Sequence, residues 1–147
     1  MISDIETNYV CFSGLLPRRY PELFKNLEAP LRQGGVSCGL IPDTNDIWCK
    51  DYMPMQITED SFVQFKYAPC YLRNKKYRHT ITDVDGVCAT IGIKPVKSKI
   101  RLDGGNVVTS GTKVIMTDRV FSENPGYGKK KLVEDLEELL QVKKVII

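Results

Sequence analysis

The chain has 147 residues, 42% of them hydrophobic and 27% charged, and its formal net charge is +3. This length and composition predict one domain with a sizeable core; they exclude intrinsic disorder and give no support for strong nucleic-acid binding. The apolar runs are far shorter than the roughly 20 residues that span a bilayer, and residues 1–6 lack a secretory signal, so the sequence predicts a soluble cytoplasmic protein without membrane contact.

The first third of the chain predicts a strand, a helix and a second strand. Residues 8–13 form the first strand, and a helix begins near Arg19 and ends at Gly34. The apolar residues of this helix recur at the spacing of one helical face: Tyr20, Leu23, Phe24, Leu27 and Leu31. The segment 36–41 is short and contains β-branched residues, which predicts a buried strand. Residues 42–45 have the composition of a loop.

From Asp46 onward, the pattern predicts a strand-strand-helix-strand unit that occurs twice. The first unit consists of strands 52–57 and 62–67, a helix capped by Thr82 and a closing strand 96–100. The second consists of strands 106–109 and 113–117, a loop 123–128, a helix 132–140 and a closing strand 142–147. The fold class is therefore predicted as α/β (α+β). The sequence stops within the last strand, which predicts that it is part of a longer repeat array.

The cysteines are odd in number and show no C-x-x-C spacing. They are Cys11, Cys38, Cys49, Cys70 and Cys88. This arrangement predicts reduced thiols that are packed as small hydrophobes, rather than a disulfide framework or a zinc site. His79, the only histidine, lies in a basic segment and is interpreted as a solvated or capping residue.

That basic segment combines four cations with two tyrosines: Arg73, Lys75, Lys76, Arg78, Tyr71 and Tyr77. No recognisable RNA or DNA module surrounds it, so nucleic acid is not predicted as a partner. We interpret the segment as a solvated loop, and contact with a substrate carboxylate or a partner protein is the alternative.

A first candidate site lies between Asp46 and Pro54. It holds the only tryptophan, Trp48, and a carboxylate three residues later, Asp51. Such a pair suits a planar cation such as guanidinium, because the ring offers a cation–π face and the carboxylate accepts two hydrogen bonds at the cation's edge. The alternative is a core tryptophan with solvated carboxylates nearby.

A second candidate site is the sequence Asp103-Gly104-Gly105-Asn106. Paired glycines after an acid allow a sharp turn or a close approach of the backbone to another group, and Asn106 is able to bond the turn. The spacing does not match a dinucleotide-binding glycine motif. The alternative is an ordinary turn between strands.

Taken together, the two motifs resemble those of the agmatine deiminases and bacterial-type peptidylarginine deiminases of the guanidino-group-modifying superfamily. The family pattern is D-x-W-x-R-D-x-x-P followed by E-G-G-N, and the stretch from Val114 to Asn124 also looks like the family's. The resemblance implies a pentein fold, a propeller of five strand-strand-helix-strand modules. Residues 1–147 would then be a single domain that forms the N-terminal half of such a propeller.

The resemblance also implies roles for individual residues. Asp51 matches the carboxylate that grips the substrate guanidinium, Trp48 matches the aromatic residue beside it, and Asp103 matches an acid that helps to orient the catalytic histidine. The supporting positions are Asp46, Lys50, Gly104, Gly105 and Asn106. Two residues depart from the pattern: Lys50 replaces an arginine and so loses a bidentate fork, and Asp103 is one methylene shorter than the family's glutamate.

The family's chemistry uses a cysteine thiolate that attacks the guanidinium carbon and a histidine that moves protons. The histidine belongs to a G-H-x-D motif and the cysteine lies near the family's C-terminus, and neither motif occurs here. We therefore expect this chain to supply guanidinium-binding residues but to be inactive alone. Cys49 is the only cysteine near the site, and strand alternation predicts that it faces away from it.

The implied reaction is the hydrolysis of agmatine to N-carbamoylputrescine and ammonia, a step of putrescine biosynthesis, and it requires neither a cofactor nor a metal. Free or peptidyl arginine is an alternative substrate. A catalytically empty module that binds guanidinium groups or a partner protein is the alternative function. We also expect self-association, through the face carrying residues 132–140 or through the last strand, because half a propeller leaves edges exposed.

Overall fold

The computed structural model describes residues 1–2 and 6–147, with the backbone alone described at Cys70. Residues 3–5, part of the stretch in which no secretory signal was found, lie outside this description. The chain divides into two compact units. We name them the major unit, which includes residues 50–69 and 94–147, and the minor unit, residues 7–49 and 70–93.

The minor unit begins with the predicted strand, helix and strand. These elements are β1 (Tyr9–Ser13), α1 (Leu16–Arg19), α2 (Pro21–Gln33) and β2 (Ser37–Ile41). β1 and β2 are parallel neighbours. Helical structure starts earlier than predicted, at Leu16. The prediction that β2 is a buried strand is wrong, since only Ile41 is buried. The sheet that contains β2 has only two strands in the described residues, so little of the strand is covered.

The second part of the minor unit is helical. Two 3₁₀ helices span Cys70–Arg73 and Lys75–Thr80, and α4 spans Val84–Thr90. The predicted capping role of Thr82 is wrong. Asp83 caps α4 by accepting a hydrogen bond from the amide of Gly86 at 3.2 Å, because it directly precedes the first turn.

The basic segment lies in these two 3₁₀ helices rather than in a loop, but its cations are exposed as predicted. The rings of Tyr71 and Tyr77 meet edge to face at 6.0 Å, and the Lys76 ammonium lies 5.6 Å from the centre of the Tyr77 ring. His79 is exposed, which agrees with its interpretation as a solvated residue.

The major unit holds two three-stranded sheets with the same topology. The first comprises β3 (Met55–Gln56), β4 (Phe62–Lys66) and β5 (Val96–Arg101), and the second comprises β6 (Val108–Ser110), β7 (Lys113–Ile115) and β8 (Lys144–Ile146). In each sheet, the first two strands are antiparallel and the third is parallel to the second. The predicted repetition of strand order is thus confirmed.

One predicted strand boundary in the major unit is wrong. Tyr52 was expected to open a strand, but it ends the short helix α3 (Cys49–Tyr52). A segment of four residues is too short for sequence periodicity to distinguish helix from strand. The buried Tyr52 ring contacts Tyr67, with ring centres 5.9 Å apart.

Helices α5 (Arg119–Glu123) and α6 (Lys129–Leu140) connect β7 to β8. α6 was predicted, whereas α5 was not. The apolar face of α6 is fully buried in the core of the major unit through Leu132, Leu136 and Leu140. These three leucines are already covered within the unit, and self-association stays a prediction.

The cysteines with described side chains are thiols rather than disulfides. Cys88 is buried, as predicted, whereas Cys11 is exposed. Cys11 lies on the more exposed side of β1 together with Tyr9, which explains why the expectation of packing fails there. Among residues 1–2 and 6–147, no helix combines the length and the apolar character that crossing a membrane requires.

Candidate functional site

The part of the first motif from Lys50 onward meets the second motif in the major unit. Lys50 and Asp51 lie on α3, and the acid-glycine-glycine-asparagine sequence follows β5 as a turn that we name the glycine turn, Asp103 to Asn106. Residues 104–106 form a single 3₁₀ turn. The buried side chain of Leu102 fixes the chain immediately before the turn.

Gly104 allows the turn to approach α3 closely. A β-carbon at this position would overlap the carbonyl oxygen of Lys50 and would lie 3.5 Å from the methyl group of Met55. The backbone torsions of Gly104 are not in the left-handed region. Glycine is therefore required here for space rather than for backbone conformation.

Gly105 allows an equally close approach to the Asp51 side chain. A β-carbon on Gly105 would overlap the Asp51 carboxylate oxygen Oδ1. The carboxylate therefore lies directly against the backbone of the turn, two residues along the chain from Asp103. The two motifs, which are separated by about fifty residues in sequence, thus form one local arrangement of side chains.

Asn106 attaches the glycine turn to the second sheet. Its side-chain oxygen accepts hydrogen bonds from the Thr117 amide at 3.0 Å and from the Thr117 hydroxyl at 2.8 Å. The sequence suggested that Asn106 would bond its own turn. The side chain instead reaches Thr117, in the segment that follows β7. These two hydrogen bonds connect the glycine turn to that segment.

Asp103 lies where burial and neighbouring carboxylates disfavour its charged form. Its side chain is only 16% exposed, and Oδ2 is 3.5 Å from the Arg119 guanidinium atom Nη2. The pKa of Asp103 is raised to about 6, chiefly because burial disfavours the charged form, and the negative charges of Glu123 and Asp51 add to the increase while Arg119 opposes it. Asp51 and Asp103 are thus close enough for their charges to repel each other.

Three residues of this network were not identified from the sequence: Arg119, Glu123 and Asn124. Arg119 donates a hydrogen bond from Nε to Glu123 Oε1 at 2.6 Å. Their spacing of four residues is typical of an ion pair on a helix, but the five-residue helix itself was missed. Asn124 is the last residue of the stretch that resembles the family's.

Asn124 fixes the end of β5. It is buried, and its side-chain oxygen accepts from the Arg101 amide at 2.9 Å while its nitrogen donates to the Arg101 carbonyl at 2.9 Å. The same nitrogen donates to the Val120 carbonyl at 2.8 Å. Both backbone groups of Arg101, two residues before Asp103, are therefore hydrogen-bonded to the Asn124 side chain.

Trp48 belongs to the minor unit and is 66% exposed, so the alternative of a core tryptophan is wrong. The loop before it is anchored by a buried hydrogen bond of 2.7 Å between Ser13 and Thr44. Asp46 supports the local turn, since its carboxylate accepts from the Trp48 amide at 3.4 Å. Most of the indole surface is therefore accessible to solvent.

Cys49 follows Trp48 and lies on α3, so the alternation of a strand does not determine its direction. Its thiol lies 3.8 Å from the Cys11 carbonyl oxygen. In the described part of the chain, no three side chains from histidine, cysteine, aspartate and glutamate are grouped so that they could hold a metal ion. The arrangement around Asp51 and Asp103 is instead an anionic surface, which a bound cation would stabilise.

Solved structures that resemble this fold include two deiminases. The agmatine deiminase of C. jejuni shares 14% identity with a TM-score of 0.67, and the match covers 94% of this chain and 51% of that one. A presumed peptidyl-arginine deiminase shares 13% identity with a TM-score of 0.71, over 99% of this chain and 55% of that one. The chain thus spans about half the length of each structure. Among curated proteins, the comparison found no match.

The family comparison covers most of the sequence. The description of the matching family is Porphyromonas-type peptidyl-arginine deiminase, and the match extends over residues 22–147. This range includes α3, the glycine turn and the charged pair on α5. The chain belongs to the Porphyromonas-type peptidyl-arginine deiminase family.

Proposed function

We propose that this chain binds the guanidinium group of a deiminase substrate, with Asp51 as the carboxylate that grips the cation and Asp103 as the acid beside it. The observation that carries the proposal is the position of the Asp51 carboxylate, which lies against Gly105 in the turn that begins with Asp103. Lys50, Gly104 and Asn106, which belong to the same unit, would support this arrangement.

The electrostatics support a cationic ligand. Two carboxylates that repel each other in a partly buried position raise the free energy of the empty site, and a cation between them offsets that repulsion. A guanidinium group is planar and has N–H donors on several edges, so it can donate to two carboxylates at once. Ammonium ions offer the same charge without this planar set of donors.

We infer agmatine as the preferred substrate. The charges that act on Asp103 are the carboxylates of Asp51 and Glu123 and the guanidinium of Arg119. Together with Asp103, these four groups sum to −2 when all are ionised, which favours agmatine with two positive charges over arginine, whose carboxylate cancels one of them. The reaction would be hydrolysis of agmatine to N-carbamoylputrescine and ammonia, in a pentein propeller of which these modules form a part.

Residues 1–147 would not catalyse this reaction by themselves. The printed sequence contains no G-H-x-D motif, and its one histidine, His79, is an exposed residue of a 3₁₀ helix in the minor unit. The thiolate and the proton-transferring imidazole that the chemistry needs are therefore not assigned to any residue of this chain. The contribution proposed for this chain is binding and orientation.

The test is a titration of the full 147-residue chain with agmatine, in which binding is measured from the changes in NMR chemical shifts. We expect a dissociation constant in the millimolar range, about −4 kcal/mol, because two partly exposed carboxylates provide most of the attraction. Asp51→Asn should weaken binding about tenfold. Asp60→Asn, in the exposed turn between β3 and β4, makes the same change in charge and should leave binding unaltered.

Two results would contradict the proposal. One is the absence of any agmatine-dependent shift near α3 and the glycine turn at concentrations of tens of millimolar. The other is an equal loss of affinity in Asp51→Asn and Asp60→Asn, which would mean that only the overall charge of the protein matters. Arginine and a peptidyl-arginine, titrated in the same way, test the choice of agmatine separately.

A further inference from the structure

Helix α5 and the residue that follows it contact both the Asp103 side chain and the end of β5. Arg119, at its first position, places Nη2 3.5 Å from the Asp103 carboxylate. Asn124, directly after its last residue, binds both backbone groups of Arg101. One short helix thus restrains the backbone before Asp103 and the Asp103 side chain together.

Arg119 is itself held in place. Its Nε donates to Glu123 at 2.6 Å, which leaves Nη2 directed toward Asp103. The Glu123 side chain is only 17% exposed, whereas Arg119 is 47% exposed. The guanidinium therefore bridges two largely buried carboxylates, and the fork geometry of arginine suits this bridging because its donors point in fixed directions.

We propose that Arg119 is a positioning residue, which holds the Asp103 carboxylate in the orientation that the adjoining guanidinium-binding site requires. This inference rests on the proposed function. Arg119 does not touch the substrate in this account; it acts through Asp103. Of the described charges that act on Asp103, Arg119 is the one that favours its ionised form. Without Arg119, the negative charges of Asp51 and Glu123 would act on Asp103 unopposed by it.

The alternative role for Arg119 is competition. Its guanidinium has the same chemical group as the proposed ligand, so it could occupy part of the site and lower the affinity for agmatine. The two roles predict opposite effects of removing Arg119. Positioning predicts weaker binding of agmatine, and competition predicts tighter binding.

The charges that face Asp103 give a second, independent readout. They come from α3 through Asp51 and from α5 through Arg119 and Glu123. Because Arg119 favours the ionised form of Asp103, its removal should raise the pH at which Asp103 titrates. A residue with only a structural role in α5 would not change this midpoint.

The experiment compares Arg119→Gln, Arg119→Lys and a matched control, Arg32→Gln. Arg32 forms an equivalent pair with a glutamate four residues away, Glu28, at 2.7 Å, but it lies on α2 in the minor unit. The side-chain carboxyl carbon of Asp103 is followed by NMR as a function of pH, with and without agmatine. Amide spectra show whether each variant keeps its fold.

We expect Arg119→Gln to raise the Asp103 midpoint by about one pH unit and to weaken agmatine binding about fivefold at pH 7. Arg119→Lys should restore most of the midpoint, since it keeps the charge, but only part of the affinity, since it loses the fork. Arg32→Gln should change neither quantity.

Four results overturn the inference. An unchanged Asp103 midpoint in a folded Arg119→Gln variant would show that the ion pair has no effect in solution. Tighter agmatine binding would favour competition. Unchanged binding, together with normal binding by the unaltered chain, would overturn the role of Arg119 while leaving the proposed function intact, and failure of the unaltered chain to bind agmatine would overturn both.

Discussion

Two glycine-containing turns of the major unit lie on either side of β6, yet they use glycine for different reasons. In the glycine turn, Gly104 and Gly105 have ordinary torsions, and any side chain would overlap α3. In the turn between β6 and β7, Gly111 has a φ of 57° and nothing lies within 4 Å of the position of a β-carbon. The first turn is shaped by a contact and the second by its own backbone, so only the first is expected to report on the candidate site.

The largest effect is expected for Gly104→Ala. The added methyl group meets the Lys50 carbonyl, which belongs to the backbone and cannot move independently of α3. We expect a loss of about 3 kcal/mol in the free energy of unfolding, measured by urea denaturation. Gly126→Ala, at a position with open space, serves as the control and should change stability by less than about 0.5 kcal/mol.

Gly105→Ala should separate stability from binding. Its methyl group meets the end of the Asp51 side chain, which can rotate away, so the loss of stability should be about 2 kcal/mol, smaller than for Gly104→Ala. Moving the carboxylate should weaken agmatine binding about tenfold. Intact agmatine affinity in a folded Gly105→Ala variant would argue against a binding role for the observed position of Asp51.

Gly111→Ala tests the other side of the comparison. A left-handed torsion costs a residue with a β-carbon about 1 to 2 kcal/mol, and this strain should appear in thermal or urea unfolding. Agmatine affinity should be unchanged, because nothing contacts this turn at the position of the methyl group. A loss of affinity equal to that of Gly105→Ala would remove the distinction between the two turns.

The smallest effect concerns Asp103 and pH. Its pKa is about 6 in the folded chain and lower in the unfolded one, so the carboxylate destabilises the fold above pH 6, and this cost is lost as the pH falls toward 4. Asp103→Asn should therefore be more stable than the unaltered chain by about 1 kcal/mol at pH 7, after allowance for solvent screening, with no difference near pH 4. Chemical denaturation at several pH values measures this difference. A variant that is less stable at pH 7 would reverse the sign and contradict the account.

Sequence patterns succeeded where an element is long or is enclosed by clear turns. α2 and α6 follow from helical periodicity, and both hairpins of the major unit follow from strand composition and turn residues. The short helices α3 and α5 were missed, because four or five residues give too few repeats to define a period. Since α3 carries Asp51 and α5 carries Arg119, the errors lie at the candidate site itself.

The close approach of the backbone at the glycine turn was predicted better than the side-chain contacts around it. The glycines of the turn indicated a close approach of the backbone, and the structure identifies the approaching groups as Lys50 and Asp51. No local pattern pairs Asp103 with Arg119, because the two residues are sixteen positions apart and are joined only through the packing of α5 beside the end of β5. The capping of α4 by Asp83 rather than Thr82 is a smaller case, in which two adjacent residues had similar capping propensity.

The most direct test of the central claim, that Asp51 and Asp103 together bind one guanidinium group, is the pH titration of the Asp103 carboxyl carbon in the presence of saturating agmatine. Putrescine, a dication without a guanidinium group, is the control for charge alone. The account predicts that agmatine lowers the titration midpoint of Asp103 clearly below its starting value of about 6 and shifts the Asp51 carboxyl carbon with the same dissociation constant, while putrescine has a much smaller effect. An unchanged Asp103 midpoint, or equal effects of agmatine and putrescine, would contradict it.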